Sequence, residues 1–130
     1  MGKYGEAAEI AVSLLRDGNA VAPRDAWRQA VATVFPGRSE SQKKGCPRDS
    51  FLALCELGVV ESVAAGTYTR SVKNKSYVTR ALAALRSDPA LADDPRRLWH
   101  FATGGADTKP NSQMEVLTAL WRRRIIRHGD

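Results

Sequence analysis

The chain has 130 residues, 43% of them hydrophobic and 26% charged, a length that suits a single globular domain over 1–130 and a balance that excludes wholesale disorder. Twenty Lys and Arg against 14 Asp and Glu leave a formal charge of +6, which makes a polyanionic partner worth testing. No apolar run approaches the roughly 20 residues that cross a bilayer, no secretory signal pattern opens the chain, and Glu6 stands where a myristoylation motif requires Ser or Thr, so no membrane partner and a cytoplasmic location are expected.

In chain order, Lys3 to Asp17 carries Tyr4, Ala7, Ala8, Ile10, Ala11, Leu14 and Leu15 at helical spacing, and Gly18-Asn19 supplies a left-handed stop. Pro23 suits the first turn of a second helix, with Asp25 near its positive end and Trp27, Ala30, Val31 and Val34 on its apolar face. Pro36-Gly37 breaks it, and Arg38 to Gly45 reads as a polar, solvated connector. A third helix from about Pro47 runs through Phe51, Leu52, Leu54 and Cys55 to Gly58.

There the period changes. Val59–Val63 reads as a short strand, Ala64–Gly66 as a turn and Thr67–Thr69 as a returning strand, a small β-hairpin after the third helix. A fourth helix from about Asn74 carries Tyr77, Val78, Ala81, Leu82 and Leu85, and Asp88-Pro89 ends it. Asp94-Pro95 opens a fifth, with Leu98, Trp99 and Ala102, closed by Gly104-Gly105. Ser112 and Glu115 form a capping-box pattern before the last helix, whose stripe is Met114, Leu117, Leu120 and Trp121. The expected fold is therefore all-α, about six helices with one hairpin, in a winged-helix-like order.

Shifting the chain by 66 positions sets Phe51-Leu-Ala-Leu54 on Leu117-Thr-Ala-Leu120 and Val59-Val60 on Ile125-Ile126. Segments 44–60 and 110–126 thus read as a weak internal repeat, a short helix breaking into two β-branched residues each time, or as the echo that helix amphipathicity alone produces.

Little in the chain points to catalysis. There is no Gly-rich phosphate loop, no Gly-x-Ser-x-Gly elbow and no HExxH. Cys46 and Cys55 lie nine residues apart on one predicted helix, about 13 Å, beyond the roughly 7 Å that a disulfide tolerates between its Cα atoms. Cys55 reads as core. Cys46, next to Pro47 and between Lys44 and Arg48, is the candidate reactive thiol, because neighbouring cations favour a thiolate. With His100 and His128 the cysteines match no zinc spacing, so no metal and no cofactor are expected.

Lys44-Gly-Cys-Pro-Arg48 running into Phe51-Leu-Ala-Leu-Cys-Glu-Leu-Gly58, Gly66-Thr-Tyr-Thr-Arg-Ser71 with Asn74-Lys75, and Asn111-Ser-Gln-Met114 before Ala119-Leu-Trp121 together resemble an uncharacterised bacterial domain family of about this length. The resemblance spans Trp27 to Ile126 and carries no assigned activity. Where the family pattern implies a glycine after the final helix, this chain has Arg122-Arg123-Arg124.

Between Arg38 and Arg80 stand eight Lys and Arg against four acids. In a winged-helix model the third helix presents Arg48 to a groove of DNA or RNA, and Lys43, Lys44, Arg70, Lys73 and Lys75 complete a basic central surface that sits on phosphates. Asp49 and Glu56 on the same helix oppose that reading. A non-enzymatic protein that binds nucleic acid is the first expectation. An adaptor that binds an acidic protein partner, using an aromatic patch among Trp27, Trp99 and Trp121, is the second, and a small enzyme using Cys46 the third.

Overall fold

Seven α-helices and one 3-10 turn make up the computed structural model, which describes residues 2–129. They are α1 (Lys3–Arg16), α2 (Pro23–Val34), α3 (Ser39–Gln42), α4 (Gly45–Glu56), α5 (Val72–Ser87), the 3-10 turn Pro89–Asp93, α6 (Pro95–Thr103) and α7 (Gln113–Arg122). Six of the helices are long, in the expected order. The seventh, α3, is a single turn inside the polar connector. The connector is tied down rather than merely solvated, for the Tyr4 hydroxyl donates to the Ser41 carbonyl at 2.9 Å and the Gln42 amide to the Phe35 carbonyl at 2.8 Å.

Local chemistry explains most helix ends. Pro23 and Pro95 occupy first-turn positions, where a missing N–H costs nothing. The Asp94 carboxylate accepts from the Arg97 N–H at 3.2 Å, and the Ser71 hydroxyl from the Asn74 N–H at 3.3 Å, so α6 and α5 are capped from within. The capping box expected at α7 does not form. Ser112 sits at φ 68° without a side-chain cap, and Glu115 reaches across to α1, accepting from the N–H groups of Tyr4 at 2.6 Å and Gly5 at 3.1 Å. Gly5 lets the two helices meet there, since a Cβ on it would lie 2.8 Å from the Ala119 Cβ.

The helices form two sets of three. Helix α1 packs on α2 and on α7, while α5 packs on α6 and on α4; α2 and α4 touch, as do α6 and α7, and α4 lies against α7. One hydrophobic cluster draws on all six long helices. At its centre Trp27 stacks on Phe51 with ring centroids 5.3 Å apart, among the fully buried Leu52, Leu54, Leu85, Leu98, Leu117 and Leu120. Helix α5 also reaches α7, where the buried Gln113 amide donates to the Asn74 side-chain carbonyl at 3.3 Å.

The expected hairpin is absent, and with it the wing. Among the described residues the only β pairing is one antiparallel bridge, Val60 with Ile126. The Glu61 N–H donates to the Ile125 carbonyl at 2.8 Å and the Arg127 N–H to the Val59 carbonyl at 3.1 Å. Thr67–Thr69, the expected returning strand, is held instead by Glu56, whose carboxylate accepts from the N–H groups of Tyr68 at 2.9 Å and Thr69 at 3.3 Å. The β-branched pair therefore finds its partner 66 positions away, where the packing of α4 on α7 delivers it. That spacing recurs: α4 ends at Glu56 and α7 at Arg122, Gly58 has φ 76° and Arg124 φ 57°, and Val60 meets Ile126. Arg124 adopts the left-handed conformation for which a glycine was expected.

Candidate functional site

Of the six cations expected to form one basic surface, two share a groove. Arg48 on α4 and Arg70 in the segment before α5 line an open groove of about 550 Å³, beside Thr67, Tyr68 and Ser71. The third cation lining it is Arg24, at the start of α2, which sequence reasoning missed. Neither Arg24 nor Arg70 makes an ion pair among the described residues. Arg48 is partly engaged, its Nε 3.3 Å from Asp49 Oδ1, and the same carboxylate oxygen accepts from the Thr69 hydroxyl at 3.1 Å.

The other four lie elsewhere. Lys75 is spent on Glu56, with which it forms an ion pair. That contact first, then the Tyr68 N–H, holds the Glu56 carboxyl below the usual glutamate range against the opposing effect of burial. The Lys44 ammonium lies 3.3 Å from the Asn111 side-chain oxygen and 5.9 Å from the centre of the Tyr4 ring, toward α1 and α7. Lys43 follows the single turn α3 and Lys73 sits in the first turn of α5, both exposed and neither lining the groove. A continuous basic face is therefore not assembled. Nor is α4 a recognition helix, because Ser50 through Cys55 are buried and leave it no broad face to insert into a duplex.

The cysteines remain separate. Cys46 is half-buried in the first turn of α4, and its carbonyl accepts from the Ser50 hydroxyl at 2.8 Å. Cys55 is buried, which pushes its thiol up to about 12. The histidines are engaged away from both. His128 stacks on Trp121 at 3.5 Å with its Nε2 2.8 Å from the Trp121 carbonyl, and His100 is exposed beside Phe101. Among the described residues no three His, Cys, Asp or Glu cluster as a metal site would need, and no helix is long and apolar enough to cross a membrane.

A second groove, of about 480 Å³, lies between α6 and α7 and is lined by Pro95, Arg96, Trp99, Pro110, Ser112, Met114 and Glu115. Trp99 lines this groove while belonging, with Trp27 and Trp121, to the hydrophobic core. Its indole N–H donates to the Thr108 carbonyl at 2.6 Å, and Tyr77 meets its ring edge-on at 4.9 Å.

The model of the Family of unknown function (DUF6979) matches residues 1–127. No curated protein and no solved structure matches the chain.

Proposed function

The chain belongs to the DUF6979 family, a family of unknown function, and from that premise we propose that it is a non-enzymatic protein that binds single-stranded nucleic acid by its phosphates, in the groove of Arg24, Arg48 and Arg70. The observation that carries this reading is that three arginines, from α2, α4 and the segment before α5, line one groove. A guanidinium offers a planar fork of donors matched to phosphate oxygens. Thr67 lines the same groove with an exposed hydroxyl, and Tyr68, half-buried there, offers a ring on which a base can stack. A flexible single strand suits an open groove, whereas a duplex requires a protruding element that α4 does not provide. Asp49 partly neutralises Arg48, so two full phosphate contacts are expected and the affinity is modest.

Fluorescence anisotropy with a labelled oligothymidylate of about 12 nucleotides tests this. Binding should weaken between about 50 and 200 mM salt with a slope near that of two released counterions. The double substitution Arg24→Ala and Arg70→Ala should lower affinity about tenfold, and the pair Lys43→Ala and Lys73→Ala no more than about twofold. No binding at low salt, or equal losses in the two pairs, removes the reading.

A further inference from the structure

We propose that the Trp99 groove is a second binding site, a counterpart of the Arg24 groove built from the equivalent elements of an internally duplicated chain, and that it receives a segment of a partner protein bearing a carboxylate beside an apolar side chain. The equivalence rests on register and packing together. Pro23-Arg24, Trp27 and Ala30 on α2 recur 72 positions later as Pro95-Arg96, Trp99 and Ala102 on α6. Across the two grooves, Arg48 and Asp49 on α4 stand 66 positions before Met114 and Glu115 on α7. Each groove thus takes one wall from the helix that opens with Pro-Arg and one from the helix that ends in a left-handed residue and the bridge, while the remaining lining differs, residues 67–71 before α5 in the first and Pro110 and Ser112 before α7 in the second. The packing of α1 on α2 and α7 repeats as α5 on α6 and α4.

The two walls have diverged, and the divergence states the ligand. Replacing Arg48 by Met114 turns a polar wall apolar, and Pro95, Pro110 and Trp99 complete an apolar floor. Glu115 also lines the groove, but its carboxylate is committed to the positive end of α1, where it accepts from the N–H groups of Tyr4 and Gly5 and its charge is offset by the helix dipole. Arg96, exposed and without an ion pair among the described residues, is left as the charge at that floor. A carboxylate satisfies it in a two-point contact. The neighbouring apolar side chain fills the slot, where the thioether of Met114 adapts to its shape. Trp99 is fixed in advance by its bond to Thr108 and by Tyr77, so little side-chain freedom is lost on binding. A nucleic acid fits this groove poorly, because a single guanidinium and an apolar floor offer few phosphate contacts.

The test is an amide NMR titration of the full chain with acetyl-Asp-Leu-Phe-amide and, as a control, acetyl-Asn-Leu-Phe-amide. The aspartyl peptide should shift the amides of residues 95–99 and 111–115 saturably. The asparaginyl peptide should bind about tenfold more weakly, and the variant Arg96→Ala should lose the same factor for the aspartyl peptide. The proposal is overturned if neither peptide shifts these amides at millimolar concentration, if both bind equally, if Arg96→Ala binds as well as the parent, or if the shifts fall on Arg24, Arg48 and Arg70 instead.

Discussion

Trp27 and Trp99 each stand three positions after the arginine of a Pro-Arg pair, yet they meet different surroundings. Trp27 is 1% exposed, stacked on Phe51, with an indole N–H that finds no acceptor; Trp99 is 7% exposed, fronts a groove and donates to Thr108. The acids on the facing helices differ in a related way. Asp49 stays beside Arg48 and Thr69, whereas Glu115, one methylene longer, reaches the start of α1. Two similar stretches of chain therefore become a polar groove with three arginines and an apolar groove with one. The difference follows from how far each side chain reaches and what the neighbouring helix offers it.

The largest effect that separates the two halves is expected at the tryptophans. Trp27→Ala should cost about 3–5 kcal/mol, since it leaves a closed cavity against Phe51. Trp99→Ala should cost about 1–2 kcal/mol less, because the space it vacates opens onto the groove. Urea denaturation of both variants measures the gap, and equal losses would mean that the Trp99 site is as closed as the other.

A smaller pair of effects tests the matched helix ends. Gly58→Ala should destabilise by about 1 kcal/mol or more, since alanine is strained at φ 76° and its Cβ would sit 3.0 Å from the Ala65 Cβ. Arg124→Gly should stabilise by about 0.5 kcal/mol, relieving the same conformation in a residue that pays for its side chain there. Thermal unfolding of the two variants should move in opposite directions; a loss in both would show that the Arg124 side chain contributes more than its backbone costs.

The smallest effect is present at neutral pH and lost in acid. Glu56 has a depressed pKa in the folded chain, so its contribution is complete above the ordinary glutamate value near 4.3 and disappears as pH falls through the lower folded value. Glu56→Gln should therefore unfold at lower temperature than the parent at pH 7, and the difference should close toward pH 3. A difference that stays constant with pH would leave the Lys75 contact without effect on stability.

The long helices were legible because their apolar residues recur at helical spacing, although α4 and α7 are buried on nearly all sides and not along a stripe alone, and the stops at Gly18 and Gly104 and the start at Asp94-Pro95 are local chemistry. The hairpin was misread for the converse reason. Val59-Val60 announces an extended segment without saying what it pairs with, and Ile126 is brought to it by two helices. The candidate site was half legible. Arg48 and Arg70 stood out within a basic stretch, but Arg24 lay outside it, and its one signal was the Pro-Arg pair repeated at Pro95-Arg96. Lys75 looked free in one dimension, and only the fold sets it on Glu56.

Spacing and end chemistry act within a few residues, so the linear order of amino acids is enough to settle the six long helices and the apolar positions of Trp27, Phe51, Trp99 and Trp121 that the fold buries. Apart from Asp49 beside its neighbour Arg48, which cations share a groove, which acid takes Lys75, where Glu115 is spent and which extended residues meet depend on contacts between positions 19 to 111 apart. Those contacts arise only when the helices stack, because a side chain's charge becomes available or spent according to what packing places within its reach.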